Sequence, residues 1–180
     1  MRISKVITKK GDKGASQLSD GTELPKSDLI FDCLGDLDEL NAIAGWVESA
    51  SDQKWLTDEL HTIQNDLFNI GGELATPNPG PALFNPDRIQ DLEALISDRN
   101  ESLPPLKEFI LPGGTELQSR VHLMRAVCRR TERRIARFLA EREGAEAWLI
   151  YLNRLSDYLF ILARWIDREQ SSAIQWENPI

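Results

Sequence analysis

Histidine, tyrosine, methionine and cysteine each occur only twice in this 180-residue chain, and that scarcity excludes several chemistries before any motif is sought. Cys33 and Cys128 lie far apart and at no zinc-type spacing. Cys128 also falls on an apolar helical stripe, so both read as small buried hydrophobes of a reducing compartment. His61 has no second His, Cys or acid cluster at metal spacing and reads as a surface helix residue; no protein-held metal site is predicted. Positive charge is in deficit, with a formal net charge of -8 and a pI near 4.9. The broad Lys/Arg excess that builds phosphate-backbone affinity is missing, which excludes nucleic acid as the main partner. No run approaches the roughly 20 apolar residues needed to span a bilayer, and MRISKVITKK lacks an apolar signal core. The expectation is a cytoplasmic protein without a membrane partner. At 41% hydrophobic and 28% charged residues, the composition is that of one ordinary globular domain over 1–180.

Against this acidic background, positive charge is concentrated in one stretch, Thr115 to Glu143. Leu117, Val121, Met124, Cys128, Thr131, Ile135 and Phe138 recur by fours and threes, which lines them up as the buried stripe of an α-helix. Thr115 and Gln118 provide its capping box. From Arg120 to Arg142, the eight arginines Arg120, Arg125, Arg129, Arg130, Arg133, Arg134, Arg137 and Arg142 stand against two acids, Glu132 and Glu141. Arg125, Arg129 and Arg133, four residues apart, form one row whose like charges repel by a few tenths of a kcal/mol per pair, roughly. Two readings stand for that row: a solvated face answered by acids on neighbouring helices, or an anion site.

Four further helices follow from periodicity. D-L-D-E at Asp36–Glu39 offers a cap for a first helix over about 36–50, leaving Asp38 and Asn41 for a partner or for solvent. Leu56, Leu60, Ile63, Leu67, Ile70 and Leu74 predict a core helix over 53–75. Asn85 and Pro86 open a third helix that stops near Asn100. Trp148, Leu152, Leu155, Leu159, Leu162 and Ile166 predict a last helix over about 146–170, with Asn153, Asp157, Phe160 and Arg164 as a second row placed to meet the arginines. The fold class is all-α, a five-helix bundle without strands, preceded by an ordered N-terminal loop.

Two segments lack helical period. TKKGDKGASQLSDG, followed by PKSD, has glycines that can turn backbone N–H groups toward one point and lysines to add charge, yet it is not a Walker A loop. A phosphate contact and a flexible basic arm both fit it. ESLPPLKEFILPGG at 101–114 holds Leu106, Phe109, Ile110 and Leu111 out of helix, so these apolar residues should pack from a loop. They would form either a ligand-pocket wall or a plug at the end of the bundle.

Taken in order, T-K-x-G-D-x-G, P-K-x-D, G-x-x-D-E-L-N, F-I-L-P-G-G, R-x-V-C-R-R-x-E-R-R and Y-L-N-R-L-S-D-Y-L-F resemble the PduO-type ATP:cob(I)alamin adenosyltransferases over roughly residues 5–166. The resemblance implies a five-helix bundle, a homotrimer, and active sites between adjacent subunits. It implies that Thr8, Lys9, Lys10 and Gly11 wrap the ATP phosphates, with Ser16, Gln17 and Lys26 adding contacts. Arg129, Arg130, Glu132, Arg133 and Asn153 match positions around ATP. Asp38 and Arg125 match a pair across the subunit interface, and Phe109 matches the aromatic that blocks the lower face of the corrin. Lys10, Ser19, Asp20 and Glu23 depart from the usual loop pattern, whereas the helix motifs do not.

The chemistry so implied is displacement at the 5′ carbon of ATP by cob(I)alamin, with triphosphate leaving and Mg²⁺ sharing its charge. The cobalt of the substrate is the nucleophile. The protein then supplies alignment and positive charge, and no general base is required. The implied substrates and cofactors are ATP, Mg²⁺ and cobalamin, with a cob(II)alamin reductase and an adenosylcobalamin-dependent enzyme as protein partners. Two alternatives remain at this level: a module that delivers adenosylcobalamin, and a non-catalytic helical trimer.

Overall fold

The computed structural model describes residues 7, 9–76, 82–140, 146–168 and 174–177. A short 3₁₀ turn over Lys10–Lys13 leads into β1 (Ala15–Gln17) and β2 (Glu23–Pro25), which pair antiparallel with Ser16 opposite Leu24. Five helices follow: α1 (Leu29–Glu48), α2 (Lys54–Leu74), α3 (Arg88–Glu101), α4 (Glu116–Leu139) and α5 (Glu146–Ile166). The expectation of no strands is therefore corrected. Three residues per strand is too short a stretch for alternation to show in sequence.

The first helix also starts earlier than 36. Its cap is Asp28, whose side chain accepts the Ile30 N–H, and Ile30, Cys33, Leu37, Leu40, Ala44 and Val47 are its buried residues. Asp36 is a buried mid-helix acid and not a cap. Asn85 accepts the Asp87 N–H in a turn ahead of α3, so Pro86 lies in that turn and outside the helix. The remaining bounds fall close to expectation, and the Thr115–Gln118 capping box forms with both reciprocal hydrogen bonds. Among the described residues, no helix is long and apolar enough to cross a membrane.

The predicted stripes make the core. From α2, Leu56, Leu60, Ile63, Leu67, Ile70 and Leu74 are all buried; from α4, so are Val121, Met124, Cys128, Thr131, Ile135 and Phe138. α4 is the central element, packed against α1 on one side and α5 on the other. Both neighbours run antiparallel to it. Asp32 and Glu39 of α1 reach Arg134 and Arg130, and the Trp46 carbonyl accepts from Arg120. On the α5 side, Cys128 Sγ lies 3.3 Å from the Leu152 carbonyl, and Gln118 donates to the Ala163 carbonyl at 3.4 Å.

This arrangement fixes where the irregular segments sit. The β1–β2 hairpin runs directly into α1, so it lies at the end of α4 that carries Arg133 and Arg134. The apolar loop 101–114 runs into the opposite, N-terminal end of α4. At 1.5 Å per residue the two ends of this 24-residue helix are separated by roughly 35 Å.

Candidate functional site

The hairpin brings together most of the predicted loop contacts. Lys10 Nζ donates to Gln17 Oε1 at 3.3 Å, and the Lys26 N–H donates to the Gly14 carbonyl at 2.8 Å. Lys26 Nζ lies so close over Gly11 that a Cβ on Gly11 would sit 3.0 Å from it. Glycine at this position lets the ammonium rest against backbone. Lys9 adopts a left-handed conformation with φ of 59°, which is unusual for a residue with a side chain and turns the chain sharply into the 3₁₀ segment. Ser16 is on β1, and Thr8 lies outside the described residues. Among the described residues, none of Lys9, Lys10, Lys13 and Lys26 has an acid within ion-pair distance.

The arginines of α4 divide into two groups. Arg130 pairs with Glu39 and lies 3.6 Å from Asp36; Arg134 lies 3.2 Å from Asp36 and 3.4 Å from Asp32. Arg120 reaches Glu116, Ser49 and the Trp46 carbonyl, and stacks over the Trp46 ring. These arginines hold α4 to α1. Arg125 faces α5, and Arg129 and Arg133 follow it at four-residue spacing along the exposed side of α4; among the described residues no acid lies within ion-pair distance of these three or of Arg137. Arg125 is half-buried with its guanidinium 5.3 Å from the Phe160 ring centroid. Burial first, and Arg129 second, hold its pKa below the ordinary arginine value, against the pull of Asp157. Arg129 and Arg133 are exposed, and Arg133 Nη1 caps the Arg129 carbonyl at 2.8 Å. Beside them Asn153 donates to Glu132 at 3.2 Å and accepts from Arg154 at 2.9 Å, which orients the amide. The second row on α5 thus meets the arginine row as expected, except that Arg164 turns away to the Pro104 carbonyl at 2.5 Å.

Asp38 is exposed on α1 and has no ion-pair partner among the described residues, so it does not meet Arg125 within one chain. Phe109 is 76% exposed, and Leu106 and Leu111 are also exposed. The expectation that these loop residues all pack against the bundle is corrected: only Ile110 is half-buried. The loop instead pairs with the C-terminal tail. Ile110 bridges Gln175, the Leu111 N–H donates to the Ile174 carbonyl at 2.8 Å, and the Trp176 N–H donates to the Phe109 carbonyl at 2.7 Å. Phe109, Leu111, Ile174 and Trp176 therefore present one apolar rim to the outside, the kind of surface that a ligand or a second subunit covers.

Sequence reasoning missed two residues. Asp36 neutralises two of the arginines, a role hidden by its resemblance to a cap. His122 is buried one turn before Arg125 in the same row, and burial followed by the Arg125 charge lowers its pKa. Its position at i−3 from Arg125 was the available signal. Among the described residues no group of three His, Cys, Asp or Glu could hold a metal ion.

The described residues thus form a helical bundle with an arginine row that lacks acidic partners, a lysine-bearing hairpin at one end and an exposed apolar rim at the other, the class of fold and surface suited to a polyanion and an apolar ligand. The comparisons with known proteins specify that class. A family model described as cobalamin adenosyltransferase matches residues 6–166. The chain is 40% identical over 179 residues to a cobalamin adenosyltransferase of Cupriavidus metallidurans, covering 98% of this chain and 96% of that one. It is 40% identical to the human corrinoid adenosyltransferase MMAB, covering 91% of this chain and 69% of that protein. Among solved structures, a variant of the PduO-type ATP:corrinoid adenosyltransferase from Lactobacillus reuteri, complexed with cobalamin and ATP, superposes with a TM-score of 0.91 at 36% identity. That alignment covers 97% of this chain and 100% of that one. The chain belongs to the cobalamin adenosyltransferase family.

Proposed function

We infer that this protein transfers the 5′-deoxyadenosyl group of ATP to the cobalt of cob(I)alamin, giving adenosylcobalamin and triphosphate. The observation that carries the reading is the row Arg125, Arg129 and Arg133. Among the described residues these three guanidiniums have no acid within ion-pair distance, whereas Arg120, Arg130 and Arg134 of the same helix each have one. In an acidic protein, three aligned cations without counter-charges are costly unless an anion joins them, and a triphosphate is an anion of the right length and charge.

The residues divide the work. Arg129 and Arg133, with Lys26 and Lys10 from a hairpin, hold the phosphates and stabilise the charge that develops on the leaving triphosphate. Asn153, oriented by Glu132 and Arg154, supplies polar contact to the nucleotide. Alignment of cobalt with C5′ is the remaining requirement, and binding geometry alone meets it. Phe109 forms the lower wall of the corrin site, where its exposed ring excludes water and the cofactor's own base. Magnesium finds no cluster of three side-chain ligands among the described residues, so it enters with ATP and no step is assigned to it.

The hairpin and Phe109 lie at opposite ends of α4, and among the described residues of one chain Asp38 and Arg125 have no ion-pair partner. Both observations favour a homotrimer in which neighbouring copies complete each site and Asp38 of one subunit meets Arg125 of the next. The buried side chains of Cys33 and Cys128 suit the reducing cytoplasm. The test is anaerobic incubation with ATP and chemically reduced cobalamin. Adenosylcobalamin and inorganic triphosphate should appear in equal amounts, and the absence of both ends the reading.

A further inference from the structure

Phe68 stands outside the buried stripe of α2 and is 68% exposed in the interior of that helix. Its surroundings follow from the way α2 packs on α1. Asn41 donates to the Gln64 carbonyl at 2.9 Å, Gln64 donates back to the Asn41 carbonyl at 3.1 Å, and a Cβ on Gly71 would lie 3.9 Å from Leu37. The helices therefore run antiparallel with 41 beside 64 and 37 beside 71, which places Asp38 next to Phe68 on the outer edge of the seam. Both are exposed. One turn before Asp38, Gly35 is also exposed, and a Cβ there would meet nothing within 4 Å. Glycine inside a helix is less stable than alanine, and no contact among the described residues requires it at this position. Close approach of a group from outside the chain does.

This surface of α1 and α2 thus carries an acid without an ion-pair partner among the described residues, an exposed aromatic ring and an open glycine. Leu83 extends its apolar part, lying 2.8 Å from where a Cβ on Gly72, one turn after Phe68, would sit. The region of α4 around Arg125 is its complement: a cation with no acid within ion-pair distance among the described residues, its guanidinium 5.3 Å from the Phe160 ring centroid. An Asp–Arg pair left in water contributes little, and the same pair is worth more when apolar groups around it exclude water.

We propose that Phe68 is a positioning residue that one copy of this chain supplies to the active site of the next, packing beside Arg125 and Phe160 of that copy so that the Asp38–Arg125 pair between them is shielded from water. The proposal deepens the adenosyltransferase reading and rests on it, since that reading sets Asp38 of one subunit against Arg125 of the next. Acid and aromatic on one face and cation on a different face make a head-to-tail contact, which closes as a ring of copies. The hairpin is docked to the same helix as Phe68: Ser19 Oγ donates to the Ala75 carbonyl at 2.8 Å, and Ala75 lies seven residues, about 10 Å of helix, beyond Phe68. Lysines of one copy and arginines of the next then converge on one site, with Phe68 fixing how the two copies meet.

Phe68→Gln removes the ring at an exposed position and leaves the core intact. Sedimentation velocity over a concentration series should show it dissociating at concentrations at least tenfold above those at which wild type does, with unchanged helical circular dichroism. Complementation supplies the readout that a merely structural residue would not move. Phe68→Asp and Arg125→Ala are assayed alone with ATP and cob(I)alamin, and again after co-expression under two different tags and purification through both. Each variant alone should lose at least tenfold in kcat/KM for cob(I)alamin. In a ring of three that contains both, one contact joins an intact Phe68 face to an intact Arg125 face, so activity should return to about a third of wild type. If Phe68 and Arg125 served a site within one chain, every site of the mixed assembly would carry a defect. A mixed assembly no more active than its components, or Phe68 variants that assemble and react as wild type does, would overturn the proposal. A wild type that forms no adenosylcobalamin would instead remove the adenosyltransferase reading on which it rests.

Discussion

Two faces of one helix separate the part of this protein that holds itself together from the part that holds a substrate. On the α1 side of α4, Arg120, Arg130 and Arg134 meet Glu116, Asp36, Glu39 and Asp32. In the other group, Arg125 meets the Phe160 ring of α5 and Arg133 meets the Arg129 carbonyl, with no acid among the described residues within ion-pair distance of Arg125, Arg129 or Arg133. The residue type is the same in both groups. What differs is the neighbour, because α1 presents acids at 32, 36 and 39 whereas α5 presents Asn153, Asp157 and Phe160. An arginine therefore becomes a structural group or a binding group according to whether the adjacent helix supplies its counter-charge.

The largest expected effect comes from breaking the unneutralised face. Arg129→Ala and Lys26→Ala each remove charge-assisted contacts to phosphate, at about 1.5–3 kcal/mol per contact. Catalytic efficiency with ATP should fall roughly ten- to hundredfold while the melting temperature stays at the wild-type value. Steady-state kinetics and a thermal melt on the same preparation check this.

Breaking the neutralised face should give the converse pattern. Asp36→Ala strands Arg130 and Arg134 at the α1–α4 contact. Both arginines are more than a third exposed and keep Glu39 and Asp32, so the loss is about 1–2 kcal/mol, less than a fully buried pair would lose. Denaturant unfolding should register it with an unchanged m-value, and KM for ATP should hold.

Phe109 sharpens the comparison at the other end of α4. Truncating a fully buried Phe costs about 3–5 kcal/mol, but this ring is 76% exposed, so Phe109→Ala should leave stability within about 1 kcal/mol of wild type. Activity that starts from cob(II)alamin and a reductase should fall much further than activity from ready-made cob(I)alamin, since only the first route needs the lower ligand removed. Electron paramagnetic resonance of cobalt(II) with ATP present reads the axial ligand. A four-coordinate signal in the variant equal to that of wild type would remove Phe109 from this role.

The smallest effect is a pH dependence from His122. Its pKa is lowered in the folded protein by burial and by Arg125, so the unfolded chain binds the proton more tightly. Stability from this group is present above the unfolded value near 6.5 and is lost as pH falls from there through the folded pKa. Arg164 lines the same small cavity as His122, so charging the imidazole places it between two cations. His122→Gln should flatten the decline in melting temperature just below pH 6.5, as a pH series of melts would show.

The contrast between the two faces was only half legible in the sequence. The α4 stripe and its arginine rows were readable because a 3.6-residue period fixes which residues share a face. Which row is neutralised depends on acids more than 90 positions away, such as Glu39 for Arg130, and local pattern carries no such information. Asp36 compounded the problem, since an acid three residues before Glu39 imitates a capping box while the true cap at Asp28 follows a strand of three residues. The apolar loop was visible through its prolines and glycines. Its single bridge to Gln175 joins two segments that each lack period, so nothing local announced their pairing.

The most direct test sets one arginine from each face against the other in the anaerobic reaction of ATP with chemically reduced cob(I)alamin. Product is followed as adenosylcobalamin absorbance and as inorganic triphosphate. Wild type and Arg134→Gln should both make one triphosphate per adenosylcobalamin with similar KM for ATP, although Arg134→Gln melts lower. Arg129→Gln should melt like wild type and lose at least tenfold in kcat/KM for ATP. Equal kinetic losses in the two variants, or an Arg129→Gln protein with wild-type ATP kinetics, would contradict the assignment of the unneutralised face to the triphosphate.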